Sequence, residues 1–524
     1  MPTAADDRAR VGVEDDRAGS VPAVTTAAQD QPTDTVAPAG PLERHPFAWR
    51  TVLAVAVAQL AVLLALAGRY GPHRDELYFV SAGRRLAWGY PDQPPLTPLI
   101  ARLADLVAPG SVFALHVVPA VMVAGVVVMT ALTARDLGAG PSAQVLSAVV
   151  IATGAGLATV GHMLSTTTTD TTIWVAIVLL VVRVLVRDWQ RGWLAVGLVA
   201  GVGLLDKHLV AFLVGAIVVG VAATQRTRHH LRSPWAWAGV AIAVALWAPN
   251  LVWQAAHGWP QLELAADIKD EYLTPGERVR FVVLLVILVS PVAVALWGYG
   301  WRRLVRAPEL TPVRPLAWAF ALLAVGFFAT GGKAYYLLGV LPVLLAAGAD
   351  GLCRSWGTAR VRRAGWVLAG AGLVAVPVVL PVLPVQTYAD AGLTDISEDQ
   401  AEMIGWPALV ATVHDAVEGS GAELVVTGNY GEAGALEFYG SSAPVYSGHN
   451  GFADWGPPPE ALAGPVVVIG WGTDPGWAQG CREVARVDNG LGVENEEQGG
   501  AVLVCDGPRG TWAEAWEQVR HLSA

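Results

Sequence analysis

Apolar residues run through the middle of this chain in blocks close to the ~20 residues that cross the hydrocarbon core of a bilayer as a helix. The blocks fall at 48–67, 112–133, 143–162, 171–187, 192–206, 208–224, 235–252, 281–300, 315–331, 334–351 and 364–384. They predict a mostly α protein, a polytopic membrane bundle of about eleven transmembrane helices. The pair at 192–224 is divided only by Asp206, Lys207 and His208, so the count carries a latitude of about one or two spans. The first block, near Trp49, has spanning length and many successors, which predicts an uncleaved first helix rather than a signal peptide.

The flanks differ. Residues 1–45 are rich in Ala, Asp, Thr and Pro without apolar periodicity, too little apolar surface to offset the entropy of ordering, and predict a disordered acidic tail. Residues 46–384 form the membrane domain. From 385 to 524 acidic residues return, and β-type runs at Glu423–Thr427, Val466–Ile469, Glu483–Val487 and Ala501–Cys505 alternate with helical stretches at Pro407–Val417 and Thr511–Arg520. This pattern predicts a small α/β domain.

The chain is 54% hydrophobic and 15% charged, against about 25% charged in soluble domains, which excludes an ordinary soluble protein. A net charge of −10 offers no basic footprint for nucleic acid. Sorting alternate loops by cationic residues places Arg135, Arg187, Arg191, Arg226, Arg228, Arg232, Arg302, Arg303, Arg306, Arg354, Arg360, Arg362 and Arg363 on one side, which the positive-inside rule makes cytoplasmic. The expectation is a multi-pass plasma-membrane protein with a cytoplasmic N-terminus and an extracytoplasmic C-terminal domain. Cys481 and Cys505 could pair in such a domain; two free thiols is the other reading.

The opposite loops hold the unusual polar residues. Asp75 and Glu76 follow the first span, and Gly89-Tyr90-Pro91-Asp92-Gln93-Pro94-Pro95-Leu96 follows them. Carboxylates at a membrane boundary need water, an ion or a reacting group, which makes Asp75 the best general-base candidate. The alternative is a pair of first-turn carboxylates stabilised by the macrodipole of an interfacial helix from Glu76 to Trp88. Asp170 has the same two readings at the outer start of a span. Of the three lysines, Lys207, Lys269 and Lys333, all fall outside; Lys207 and Lys333 are either anion ligands or snorkelling anchors. His257, between Trp253 and Trp259, is either a site residue or part of an aromatic belt. Asn429-Tyr430-Gly431-Glu432-Ala433-Gly434 lacks P-loop or dinucleotide-motif spacing and is expected to be an ordinary strand-to-helix turn.

Asp75-Glu76, the proline segment, Leu164-Ser165-Thr166 through Asp170, Gly203-Leu204-Leu205-Asp206-Lys207, Pro249-Asn250-Leu251-Val252-Trp253 with His257-Gly258-Trp259-Pro260, and Gly332-Lys333-Ala334-Tyr335-Tyr336 occur in order over about residues 47–350. Together they resemble bacterial GT-C fold glycosyltransferases of the protein O-mannosyltransferase and aminoarabinose-transferase-like group, families 39/83. The resemblance implies a GT-C membrane bundle that transfers a sugar from a polyprenyl-phosphate donor to a cell-envelope acceptor hydroxyl at the outer face. It makes Asp75 and Glu76 catalytic, with Asp75 the base and Glu76 in support. Asp92, Asp170, Lys207, His257, Lys333 and Tyr336 become substrate-binding, the lysines and Tyr336 at the phosphate. Asp92-Gln93 stands where the aminoarabinose-transferase branch has Glu-Lys, so Lys207 or Arg74 would have to compensate. Inversion at the anomeric carbon is also implied. No cofactor is evident beyond the donor, and a divalent-metal requirement stays open.

Two other functions fit the helix count. A repeat-type transporter places its site at the midplane in broken helices, whereas these polar residues lie at one interface. A scaffold with a partner-binding outer domain leaves Asp75, Lys207 and Lys333 unexplained.

Overall fold

The computed structural model describes residues 42–394 and 396–523; the expected tail lies outside the described residues up to position 41. From 42 onward the chain is already tied down, with Leu42 packed against the helices and the His45 carbonyl accepting from Arg135 Nε at 3.1 Å.

Among the described residues, six helices are long and apolar enough to cross a membrane: Trp49–Leu66, Val112–Asp136, Thr166–Arg187, Pro234–Ala256, Pro308–Thr330 and Thr358–Val379. The pair Pro141–Ala152 and Ala155–His162, bent by 60°, makes a seventh if taken as one span. The other expected blocks are covered by shorter helices, Gly192–Leu204, Leu209–Ala223, Ala293–Arg306 and Leu341–Ser355. The block at 281–300 is interrupted between Pro275–Ile287 and Ala293–Arg306, because Pro291 has no N–H to continue the ladder. Two interruptions meet: the Gly156 amide donates to the Leu288 carbonyl at 2.7 Å. A Cβ on Gly156 would lie 2.9 Å from that oxygen, so only glycine admits the bond. Backbone groups freed inside a bilayer must be satisfied by other protein groups, and these two breaks do so for each other.

The segment after the first span folds into two helices, Arg74–Arg84 and Leu96–Val107, with the proline segment between them. The first ends at Arg84 rather than at the expected Trp88. Tyr90 Oη takes the Ala82 carbonyl at 2.8 Å and the Arg85 carbonyl at 3.3 Å, diverting the chain. Its start is fixed by a capping box: His73 Nδ1 accepts from the Asp75 amide, and Glu76 Oε2 accepts from the His73 amide at 2.9 Å. Glu76 is fully buried. Its other contacts are His116 Nε2 at 2.9 Å from Oε2 and the Leu164 amide donating to Oε1 at 2.7 Å. One carboxylate thereby joins the outer helix to the Val112–Asp136 helix and to the turn before Thr166–Arg187.

The C-terminal region is a five-stranded sheet in the order Val445–Ser447, Leu424–Thr427, Val466–Ile469, Ala501–Cys505, Arg482–Arg486, parallel across the first three and antiparallel across the last two. Alternate strand residues face opposite sides. Val425, Val467 and Val502 pack on Trp406, Leu409 and Val413 of the helix Trp406–Ser420. Leu424, Val466 and Leu503 pack on Trp512 and Trp516 of the helix Trp512–Val519. Thr511 caps that last helix with a reciprocal Glu514 contact. The sequence pattern passed over the edge strand Val445–Ser447, too short for a periodic signal, while the strand-to-helix turn expected at Asn429–Gly434 is present and opens the helix Tyr430–Tyr439. Cys481 and Cys505 form a disulfide.

This domain rests directly on the first outer helix. Tyr430–Tyr439 lies against Arg74–Arg84 so closely that a Cβ on Gly434 would come 2.8 Å from the Leu77 carbonyl carbon. Arg85 pairs in a bidentate manner with Glu437 at 2.6 and 2.9 Å, and Trp406 Nε1 donates to the Pro72 carbonyl at 3.1 Å.

Two outcomes are expected. Glu76→Ala strips the acceptor from the His73 and Leu164 amides, and buried donors left unpaired cost about 1–3 kcal/mol each; the purified protein should show a markedly lower Tm in detergent. Gly434→Leu should cost about 1–3 kcal/mol by overpacking and release the α/β domain. Limited proteolysis should then cut faster between residues 384 and 405 while the membrane fragment stays intact.

Candidate active site

Asp75 and Glu76 are both first-turn carboxylates, as the macrodipole reading expects, but one helical step of ~100° sends them to different surroundings. Glu76 points into the protein, where its contacts are all structural. It holds the outer helix in register through its bonds to His73, His116 and Leu164. The Asp75 side chain is 35% exposed, with Oδ2 3.9 Å from His73 Nδ1. Its Oδ1 accepts from Tyr430 Oη at 2.9 Å. Burial first, and then the Asp75 charge, push the Tyr430 phenol well above the usual tyrosine range, so it remains a donor. Arg74 lies over the Tyr430 ring at 5.0 Å and pairs with Glu402, at 3.5 Å, and Glu496.

The proline segment is gripped by the helix Pro234–Ala256 and the start of the next helix, Pro260–Tyr272. Asn250 Nδ2 donates to the Trp88 carbonyl at 2.9 Å, and Gln254 Nε2 and Gln261 Nε2 reach the Tyr90 carbonyl at 3.3 and 3.1 Å. Within it, Asp92 Oδ1 accepts from Tyr78 Oη at 2.8 Å. Burial pushes the Asp92 carboxyl up to about 7, the Tyr78 bond opposing it. Gln93 is 4% exposed, and neither of its side-chain polar atoms has a partner among the described residues. His257 stacks on Trp253 with ring centroids 3.9 Å apart and is exposed. The structure places it on the surface at the end of its helix and gives it no contact with Asp75 or the lysines, which favours the aromatic-belt reading over the substrate-binding one.

A second polar group lies across the helix ends. The Leu96 amide donates to the Leu205 carbonyl at 2.8 Å, and Thr97 Oγ1 donates to Asp206 Oδ1 at 2.5 Å. Asp170, in the first turns of the helix capped by Ser165, and Asp206 are both buried, and each keeps one carboxylate oxygen without a partner among the described residues. Beside them Lys207 Nζ stands 3.5 Å from Thr166 Oγ1 and 5.0 Å from the centre of the Tyr336 ring. Lys333 Nζ stands 4.6 Å from the Tyr272 ring centre. Burial pulls the Lys333 ammonium below its usual range, with Glu271 and Asp75 opposing. Lys207 is held among opposite charges too, Asp170 first, then Asp206, and more weakly Asp75. Both lysines turn inward over tyrosine faces, where cation–π attraction holds them, instead of extending to headgroups.

The structure therefore gathers Asp75, Asp170, Lys207, Lys333 and Tyr336 at one end of the bundle, with Asp92 alongside through Tyr78. It adds residues that sequence reasoning did not select: Tyr430, Tyr78 and Arg74's partner Glu402. Their only local signal was the Asn429-x-x-Glu432 capping pattern that positions Tyr430. Among the described residues one trio has metal-ligand spacing, Asp188, His229 and His230, with ligand atoms within 4.8 Å of one another. It sits at the opposite end of the Asp170 helix. His230 Nδ1 accepts from Trp193 Nε1 at 3.2 Å, a group that only donates, so its Nε2 carries a proton instead of a free lone pair.

Residues 92–253 match the family model described as dolichyl-phosphate-mannose-protein mannosyltransferase. That stretch includes Asp92, Asp170 and Lys207 and leaves out Asp75, Lys333 and Tyr336. No curated protein matches the chain at a significant level. Among solved structures, ArnT from Cupriavidus metallidurans bound to undecaprenyl phosphate superposes with a TM-score of 0.58 at 14% identity, covering 87% of this chain and 98% of that one. The apo form of the same protein gives a TM-score of 0.59 at 14% identity, covering 87% and 97%. At that coverage and TM-score the chain has the fold of ArnT, of the GT-C type.

Proposed function

We propose that this protein is an integral-membrane glycosyltransferase that moves a sugar from a polyprenyl-phosphate donor to a hydroxyl group of a cell-envelope lipid, glycan or protein at the outer face of the membrane. The observation that carries this reading is the half-exposed Asp75 carboxylate sharing one end of the bundle with two inward-turned lysines and Tyr336. Support comes from the ArnT fold, from that protein's complex with undecaprenyl phosphate, and from the mannosyltransferase model over 92–253.

In this reading the acceptor oxygen attacks the anomeric carbon, its proton passes to Asp75 Oδ2, and the bond from that carbon to the phosphate oxygen breaks with its electron pair staying on the phosphate. Lys207 and Lys333 meet the negative charge that develops on the leaving phosphate, and the Tyr336 hydroxyl donates to it. Asp170 and Gln93, with buried unpartnered atoms, face sugar or acceptor hydroxyls. General-base assistance of this kind contributes about 10²–10⁴-fold; positioning and electrostatics supply the rest. With Asp75 acting as base and no carboxylate assigned as a nucleophile, a single displacement with inversion is the expected course. The arginine-rich loops face the cytoplasm, as does the N-terminus, and the disulfide-bonded α/β domain lies outside, where disulfides persist.

Three outcomes check this. Purified protein given a radiolabelled polyprenyl-phosphate sugar and envelope extract should transfer label, and Asp75→Asn should lower the rate by about 10²-fold or more; a wild-type rate in that variant removes Asp75 from the mechanism. Lys333→Ala should raise the dissociation constant for undecaprenyl phosphate with Tm unchanged. Single cysteines placed near residues 109 and 475 of a cysteine-free chain should react with an impermeant maleimide on intact cells, and one at Arg228 should not.

A further inference from the structure

Tyr430 stands 355 residues from Asp75 in sequence, on a different domain, in the first turn of the helix Tyr430–Tyr439. Yet its hydroxyl is the one side-chain donor bonded to the Asp75 carboxylate among the described residues. We propose that Tyr430 is a positioning residue for Asp75: by occupying Oδ1 it fixes the carboxylate plane and leaves Oδ2 for the acceptor hydroxyl, so that the α/β domain completes the active site. This rests on the glycosyl-transfer reading above.

Each end of the contact is held. On the domain side, Asn429 Oδ1 accepts from the Glu432 amide at 2.8 Å, while Glu432 Oε2 accepts from the amides of Gly428 and Asn429 at 3.0 and 3.1 Å. This reciprocal cap fixes the first turn, in which Tyr430 sits. The ring is wedged between Tyr78, at 5.0 Å between centroids, and His449, at 4.8 Å, with the Arg74 guanidinium over it. On the membrane side, Asp75 belongs to a helix whose register Glu76 sets. Between the two helices, the Gly434–Leu77 approach keeps the distance short. A partly exposed aspartate otherwise rotates freely about its terminal torsion, and a base displaced by about 1 Å loses on the order of 10²-fold.

The test compares wild type, Tyr430→Phe and Glu437→Gln in the radiolabel transfer assay. Tyr430→Phe keeps the ring and loses the hydroxyl; Glu437→Gln weakens docking at the far end of the same helix without touching the site. The expected result is a kcat for Tyr430→Phe lower by about tenfold or more, with donor KM, undecaprenyl phosphate affinity and Tm close to wild type, and a kcat for Glu437→Gln within about twofold of wild type. If wild type transfers sugar and Tyr430→Phe matches its kcat, the positioning role is overturned while the function stands. If both variants lose kcat and Tm together, Tyr430 serves docking only and the role is likewise overturned. No transfer by wild type overturns the glycosyltransferase reading, and this role with it.

Discussion

A carboxylate cut off from water is costly unless its oxygens are hydrogen-bonded, and Glu76 meets that condition with groups from separate parts of the chain. The His73 amide, the His116 ring and the Leu164 amide come from the outer helix, a spanning helix and the turn into another. None can shift by a residue without stranding a buried polar atom. The register of Arg74–Arg84 is therefore set from inside the protein, and the exposed functional residues follow from it. Asp75, one step back, turns to the solvent side; Leu77, one step on, meets Gly434; Tyr78 reaches Asp92.

The bilayer imposes a second constraint of the same kind. Irregular backbone at membrane depth persists only where other protein groups satisfy it. The breaks around Gly154 and Leu288 answer each other, and the proline segment is held by the amide side chains of Asn250, Gln254 and Gln261. The Pro249-Asn250-Leu251-Val252-Trp253 motif and the Gly-Tyr-Pro-Asp-Gln-Pro-Pro-Leu motif, 150 or so residues apart, are thus two halves of one arrangement in which a helix end clamps a non-helical strap. Thr97 and Asp206 tie the other end of that strap to the helix break that carries Lys207.

The α/β domain shares this logic. Its sheet is a conventional two-sided core, but the helix it turns toward the membrane has glycine where the two backbones touch and an acidic residue, Glu437, opposite Arg85. A domain tethered only by a linker would leave Asp75 with a rotating side chain. This one brings a tyrosine to it and an acidic partner, Glu402, to Arg74.

Much of the architecture was legible along the chain because its causes are local. The thickness of the hydrocarbon core dictates the length of apolar runs, so Trp49–Leu66 or Pro234–Ala256 stand out; short, continuous apolar runs mark the buried strands Val466–Ile469 and Ala501–Cys505; Thr511 announces a helix start. The polar residues of the site, Asp75, Asp170, Lys207 and Lys333, were visible as costly interruptions. What they do to one another was not. Asp75 and Glu76 are neighbours of the same chemical type, and only packing separates the half-exposed carboxylate from the buried tie. His257 sits in as suggestive a motif as Lys333 but stacks on its own helix. The Tyr430–Asp75 bond joins residues with no periodic or spacing relation. A hydrogen bond across the fold leaves no local pattern, so the sequence by itself determined which segments enter the membrane and which side chains are expensive, and the tertiary structure alone decided which of those side chains meet.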